Sequence, residues 1–275
     1  MKSHKPGQWD RQALILLLPS LIGFALVYLI PFFGMVISSF SRPEQTPTLR
    51  TYQEVLSNEA FQLSIFNSLL FLAIGIPLLM VFSYVVALAI HELKTAPWVK
   101  LLLILPIALP SGASIGFFRN LFGASYDSIL YSNWNLSVLI LLFLWKYTGY
   151  NLLIFLSGFK LMKGSIMDSA KIDGATYKQI VWHIILPLST PYIIFSGIVT
   201  IINSFKIFKE IYILQGSYPS TSLYLFQHFI NNKFNDMAIS ELSAAATLFS
   251  LIILGLAWFV IGYDRYHQRR MGGQS

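Results

Sequence analysis

The chain has 275 residues, of which 55% are hydrophobic and only 11% charged, with a mean hydropathy of +0.63. Soluble domains carry about 25% charged residues, so this composition excludes a water-soluble globular domain and points to a membrane protein. The lack of cysteine excludes disulfides, thiolate metal sites and thiol catalysis, and the net charge of +7 reflects Lys and Arg flanking apolar runs rather than a nucleic-acid surface.

A hydrocarbon core about 30 Å thick needs roughly 20 apolar residues of helix. Six runs meet or approach that length: Ala13–Phe40, Ile65–Ile90, Trp98–Phe118, Leu136–Phe159, Pro191–Phe208 and Ala244–Tyr263. The expected fold is therefore all-α, a single six-span membrane domain over residues 1–275. The first run starts as a signal peptide would, after Lys2, Lys5 and Arg11. It outruns an h-region of about 7–15 residues, and no small-residue cleavage pattern follows, so it reads as a retained span. The fifth is the weakest, with 18 residues and the polar Asn203 and Lys206 inside it. Pro19, Pro31, Pro77, Pro106 and Pro110 free carbonyls and kink helices, which is tolerated where helices pack or line a cavity. Gly112 and Gly116 have the spacing of a close helix contact. Of the outer loops Ser41–Ser64, Arg119–Asn135 and Lys209–Ser243, the last is the longest, and its Leu223–Asn232 stretch suits an interfacial helix.

Basic residues set the orientation. The N-terminus (Lys2, Lys5, Arg11), the second loop (Lys94, Lys100), the fourth loop (Lys160, Lys163, Lys171, Lys178) and the tail (Arg265, Arg269, Arg270) hold twelve. The opposite side holds six: Arg42, Arg50, Arg119, Lys206, Lys209 and Lys233. Both termini and the loop over residues 160–187 are thus expected in the cytoplasm.

That loop contains DSAKIDGATYKQIVWHIILPLSTP, a polar segment between two apolar runs. Ser165-Ile-Met-Asp168 has the spacing of a capping box, with Ser165 as the cap. A short helix would stop at Gly174, which accepts a left-handed backbone. Thr176-Tyr-Lys-Gln179 repeats the device, so a second helix starts there and is expected to run until Pro187 interrupts it. Ala170 and Gly174 leave a flat patch that another protein could approach, flanked by Lys171 and Lys178. The same residues also suit a plain amphipathic helix on the membrane surface, and spacing alone leaves both readings open.

The segment resembles the signature loop of binding-protein-dependent ABC importer permeases: Glu-Ala-Ala, three residues, Gly, nine residues, Ile-x-Leu-Pro. Here Asp168-Ser169-Ala170, Gly174 and Ile184-Ile185-Leu186-Pro187 fill those places, with Asp168 where Glu is usual and Ser169 where Ala is usual. NSLLFLAIGIPL (67–78), LPIALPSG (105–112), WKYTGYNLLIFLSGF (145–159) and SFKIFKEIYILQG (204–216) are similar to spans two to five of the carbohydrate, maltose-type branch. Lys209 stands where an acidic residue is common, Met162-Lys163 replaces a frequent Ile-Pro, and the usual glycine run after span five is reduced to Gly216-Ser-Tyr-Pro219.

The resemblance implies a type I ABC importer permease with a cytoplasmic coupling helix, in the inner membrane of a bacterial-type cell. It implies that two such permeases form a heterodimeric pore, that two ATP-binding subunits dock beneath it, and that an extracellular solute-binding protein delivers a mono- or oligosaccharide. ATPase coupling would fall to Asp168, Ser169, Ala170, Asp173, Gly174, Leu186 and Pro187. The chain lacks a G-x-x-x-x-G-K-[ST] phosphate loop, so ATP is expected on the partner subunit and no cofactor or metal on this chain.

Polar residues within spans carry a functional hypothesis by default. Lys146, with Tyr150 and Asn151, faces either a water-filled path or a carboxylate partner, such as one on the partner permease. Asn203 and Lys206 are similar, although Lys206 near the outer end of its span has room to snorkel. Phe195, Phe205, Phe208 and Tyr212 suit sugar stacking or, more simply, lipid and packing contacts. His91-Glu92 and His183 lack further ligands at metal spacing. The rival readings are a permease for another solute, such as a glycerol phosphate or peptide, and an ion-coupled secondary transporter. The latter favours acidic residues within spans, and none is expected mid-span here. A membrane enzyme would need a paired catalytic constellation, and the sequence shows none.

Overall fold

The computed structural model describes residues 8–41, 49–93, 95–123, 134–162 and 164–272. The orientation signals of Lys2, Lys5, Arg11, Arg42, Lys94, Lys163, Arg265, Arg269 and Arg270 lie outside the described residues or side chains. Every described regular element is helical, which follows from a medium that offers the backbone no partners. Five helices have the length and apolarity of a span: Ile15–Phe40, Glu59–Glu92, Asn135–Leu161, Thr190–Gln215 and Ile239–Trp258.

The sixth span, the third in chain order, is broken. Pro97–Ala108 and Ser111–Phe122 meet at 113°, where a continuous run over Trp98–Phe118 was expected. Leu109 and Pro110 are extended at the break (ψ 129° and 150°). The ring of Pro110 disfavours helical backbone at Leu109 and removes a donor. Span five departs the other way: it continues past Phe208 to Gln215, through a 3-10 turn at Phe205–Ile207. Lys206 therefore sits well inside the helical run rather than near its end.

Two other prolines are absorbed rather than obeyed. In the first span the π-helical turn Ala25–Leu29 is followed by Ile30-Pro31, and after the polar segment the π turn Val181–Ile185 is followed by Leu186-Pro187. In both, the residue before proline donates its N–H five residues back, Ile30 to Ala25 and Leu186 to Val181. The widened turn relieves the clash of the proline ring with the preceding carbonyls. The interruption expected at Pro187 comes two residues later, at the single turn residue Ser189 (φ −84°, ψ −3°), and span five starts at Thr190.

The described chain packs as two units, one of Met1–Asn58 with Lys233–Leu251 and one of Glu59–Asn232 with Ile252–Ser275. In the first, the short helix Arg50–Ser57 stands where only an outer loop is expected, and its Tyr52 meets Ser39 at 2.5 Å and the Phe40 ring at 5.2 Å. Ser240 donates to the Ser41 carbonyl at 2.7 Å, and Lys233 pairs with Glu241 at 2.5 Å.

In the second unit span four is the post. It has 56% of its most apolar stretch buried, against 28% for spans two and five. One core gathers Phe71, Leu79, Leu142, Phe143, Ile207 and Ile211, and another gathers Ala87, Ile90, Leu152, Phe155, Phe159, Ile180 and Ile185. Two glycines of span four make the close packing possible. A Cβ on Gly149 would lie 2.8 Å from the Leu103 carbonyl oxygen, and one on Gly158 would lie 2.6 Å from the Tyr192 ring. Gly112 and Gly116, which have the sequence spacing for such a contact, have no neighbour within 4 Å. The helix anticipated over Leu223–Asn232 forms at Phe226–Asn235 and is packed through Phe226, His228 and Phe229 rather than lying free at an interface.

Candidate functional site

The polar segment closes its own backbone. Its first helix runs Gly164–Ile172 and ends in a Schellman turn: Ala175 N–H donates to Ala170 (2.9 Å) and Gly174 N–H to Lys171 (3.1 Å). Gly174 takes the left-handed backbone that this turn requires, with φ 81°. Two residues later Thr176 and Gln179 form a reciprocal capping box, with Gln179 N–H donating to Thr176 Oγ1 and Thr176 N–H to Gln179 Oε1 (2.8 Å). The expected box at Ser165 is not formed, because the helix starts at Gly164 and puts Ser165 inside the first turn. Asp168 turns instead to Lys171, 4.0 Å away.

One side of this segment is anchored. Met167, Ala170, Ala175, Ile180, Ile184 and Ile185 join a core shared with Ala87 and Ile90 of span two and Leu152, Phe155 and Phe159 of span four. The other side is open: Asp168, Ser169, Lys171, Asp173 and Gly174 are exposed, and Ile172 shows 85% of its surface. An open depression lies beside the turn, lined by Asp173, Gly174, Ala175, Gln179, Ile180 and His183. Leu186 and Pro187, expected to belong with these residues, are half-buried at the start of span five instead. His183 is occupied with the Gln179 carbonyl (3.0 Å), His91 lies tilted against Phe159 with ring centroids 5.6 Å apart, and neither belongs to a metal-type cluster among the described residues.

Within the spans, nearly every polar group that the sequence singled out has a partner. Lys146 is paired with Glu210, with side-chain exposures of 8% and 1%. The partner carboxylate is thus on the same chain, and the expectation of no acidic group within a span is corrected by Glu210. That residue had been assigned to an outer loop because span five was cut short at Phe208. Asn151 accepts from Ser196 Oγ (2.7 Å) and bonds with Thr200 Oγ1 (2.9 Å). Asn203 is buried and accepts from Lys206 Nζ at 2.8 Å, and that ammonium lies 5.9 Å over the Tyr150 ring. Lys206 itself is exposed. Ser196, Thr200 and Glu210 were missed. A signal existed for the first two, since positions 196, 200 and 203 recur at helical spacing on one face.

The described residues thus combine an exposed, self-capped turn with helices of span length and apolarity. The model of the family "Binding-protein-dependent transport system inner membrane component" matches residues 13–273. The chain belongs to this family. Among relatives, it is 28% identical over 273 residues to the probable ABC transporter permease protein YesP of Bacillus subtilis, covering 88% of this chain and 86% of that one. It is 25% identical over 281 residues to the trehalose/maltose transport system permease protein MalF of Thermococcus litoralis, covering 91% and 93%. A solved bacterial ABC transporter involved in alginate import superposes with TM-score 0.74 at 20% identity, over 94% of this chain and 96% of that one. The permease is therefore a multi-pass membrane transport subunit with the type I importer fold.

Proposed function

We propose that this permease forms half of the pore of an ATP-driven importer for a mono- or oligosaccharide, with segment 164–187 in the cytoplasm as its coupling helix. In this reading a second, related permease completes a heterodimer, two ATP-binding subunits hydrolyse ATP, and an extracellular solute-binding protein delivers the sugar. Both termini lie in the cytoplasm, and the chain itself holds no cofactor. The trehalose/maltose system among its relatives supports a sugar over a peptide. The observation that carries the reading is the two-faced segment: apolar residues on one side share a core with spans two and four, and Asp168, Ser169, Asp173 and Gly174 are exposed on the other. A subunit gripping that exposed face would move span four and the start of span five together. The translocation path is proposed along Tyr150, Asn203 and Lys206, where an exposed cation within a span needs water or substrate beside it. Lys146 and Asn151 back that face through their partners on span five.

The test is affinity purification of the permease from its native membrane, with and without Gly174→Asp. An ATPase subunit and a second permease should accompany the wild type. The variant should insert but lose the ATPase and ATP-driven uptake, because aspartate at φ 81° strains the turn and projects a charge from it. Normal ATPase capture and wild-type uptake by the variant would refute the coupling role. Uptake by the chain alone, without ATP, would favour a secondary transporter.

A further inference from the structure

Span five is two rods joined by the tightened turn Phe205–Ile207, and a short 3-10 stretch within a helix is where such a rod yields most readily. Each rod is fastened to span four by its own polar clamp. The first, Thr190–Ser204, is held where Asn151 meets Ser196 and Thr200. The second, Phe208–Gln215, is held by Glu210 on Lys146. Between the clamps, on the turn itself, sits Lys206 with Asn203 beneath it.

Apolar side chains of similar volume would fill the Lys146–Glu210 site at least as favourably, because desolvating two charges is costly. What the pair adds is direction. Leu139, Leu142 and Phe143 pack on Ile207 and Ile211 and tolerate rotation of the helix, whereas only one rotation sets the Glu210 carboxylate against the Lys146 ammonium. The second carboxylate oxygen, Oε2, is buried without a partner, so the clamp makes one specific contact rather than a diffuse one.

We propose that Lys146 and Glu210 are positioning residues for transport. The pair fixes the rotation of Phe208–Gln215 about the Phe205–Ile207 turn, and so the direction in which Lys206 faces. The inference rests on the translocation path proposed above, but its test requires no transport.

The chain is naturally free of cysteine, so Lys206→Cys is a unique reporter. Its rate of modification by a charged, membrane-impermeant methanethiosulfonate is measured with the full complex in native membranes. Glu210→Gln and the double variant Lys146→Met with Glu210→Met are each expected to change that rate at least fivefold. The reversed pair, Lys146→Glu with Glu210→Lys, is expected to return it to within twofold of the parent. If Glu210→Gln fails to accumulate, the uncharged double variant decides. An unchanged rate in the neutralised variants, or a changed one that reversal does not recover, overturns the proposal. If labelling follows the expectation but the complex with Lys206 intact imports no sugar, the clamp stands and the functional reading is refuted instead.

Discussion

Asp168 and Lys171 stand 4.0 Å apart with 73% and 63% of their side chains in solvent, whereas Lys146 and Glu210 touch with 8% and 1%. The same two chemistries serve opposite ends. An exposed pair of this kind is worth a few tenths of a kcal/mol and is screened by salt, so segment 164–187 spends little of its polarity on itself. Its backbone needs are met by a Schellman turn and a capping box, which leaves its charged face free. Inside the spans every polar group has an alternative that is worse than pairing, since an unsatisfied one costs several kcal/mol in hydrocarbon. On the proposed reading, exposed polarity is what a partner would grip, and buried, paired polarity is what keeps the spans in register.

Breaking a tied pair should hurt most. Lys146→Met alone leaves Glu210 buried and unpaired and is expected to cost about 3–5 kcal/mol, read as a fall in the thermal midpoint of the detergent-solubilised permease. Asp168→Asn, by contrast, should leave that midpoint unchanged, and a comparable loss there would erase the distinction between the two regions. Next comes packing: Gly149→Ala forces its Cβ onto the Leu103 carbonyl and Ile104 Cα and should cost about 1–3 kcal/mol. Gly112→Ala and Gly116→Ala, with nothing within 4 Å, should leave the midpoint where it was. Thr176→Ala removes the cap of the helix that follows the Gly174 turn and should cost about 1 kcal/mol, seen as faster amide exchange over residues 177–180 with the spans unaffected.

The smallest effect is a pH dependence. Burial pushes the His228 imidazole from its ordinary 6.5 down to about 4. Between those values the unfolded state binds the proton and the folded one does not, so stability falls as pH drops from about 6.5 to about 4. His228→Asn keeps an acceptor for the Leu225 N–H, which now meets Nδ1 at 3.1 Å, and should flatten that dependence in a melting series.

The spans and the Gly174 turn are legible because their signals are local. Apolar runs of fixed length, Gly174 at a helix end, and Thr176 three residues before Gln179 all act within one element. The family resemblance lay in the same local spacings. What escaped depended on partners distant in the chain. Span five was cut at Phe208 because Lys206, Lys209 and Glu210 depress hydropathy, and the residue that neutralises Glu210 lies 64 positions earlier. The bend at Leu109–Pro110 was present as a proline signal, but an unbroken apolar run outweighed it. Pro187 was judged by the rule for an ordinary helix, and a wider turn just ahead of it suspends that rule.

The absorbed proline has a mechanical consequence. From Tyr177 to Gln215 the backbone is helical but for the single turn residue Ser189, which still bonds back to Ile185 and forward to Ile193, a contour of roughly 55 Å at 1.5 Å per residue. A flexible connection would pass on a pull and little else. A nearly unbroken helix also carries thrust and torque, so a twist of a few degrees applied beside Gly174 would travel toward the Phe205–Ile207 turn as a twist, less what the one turn residue absorbs.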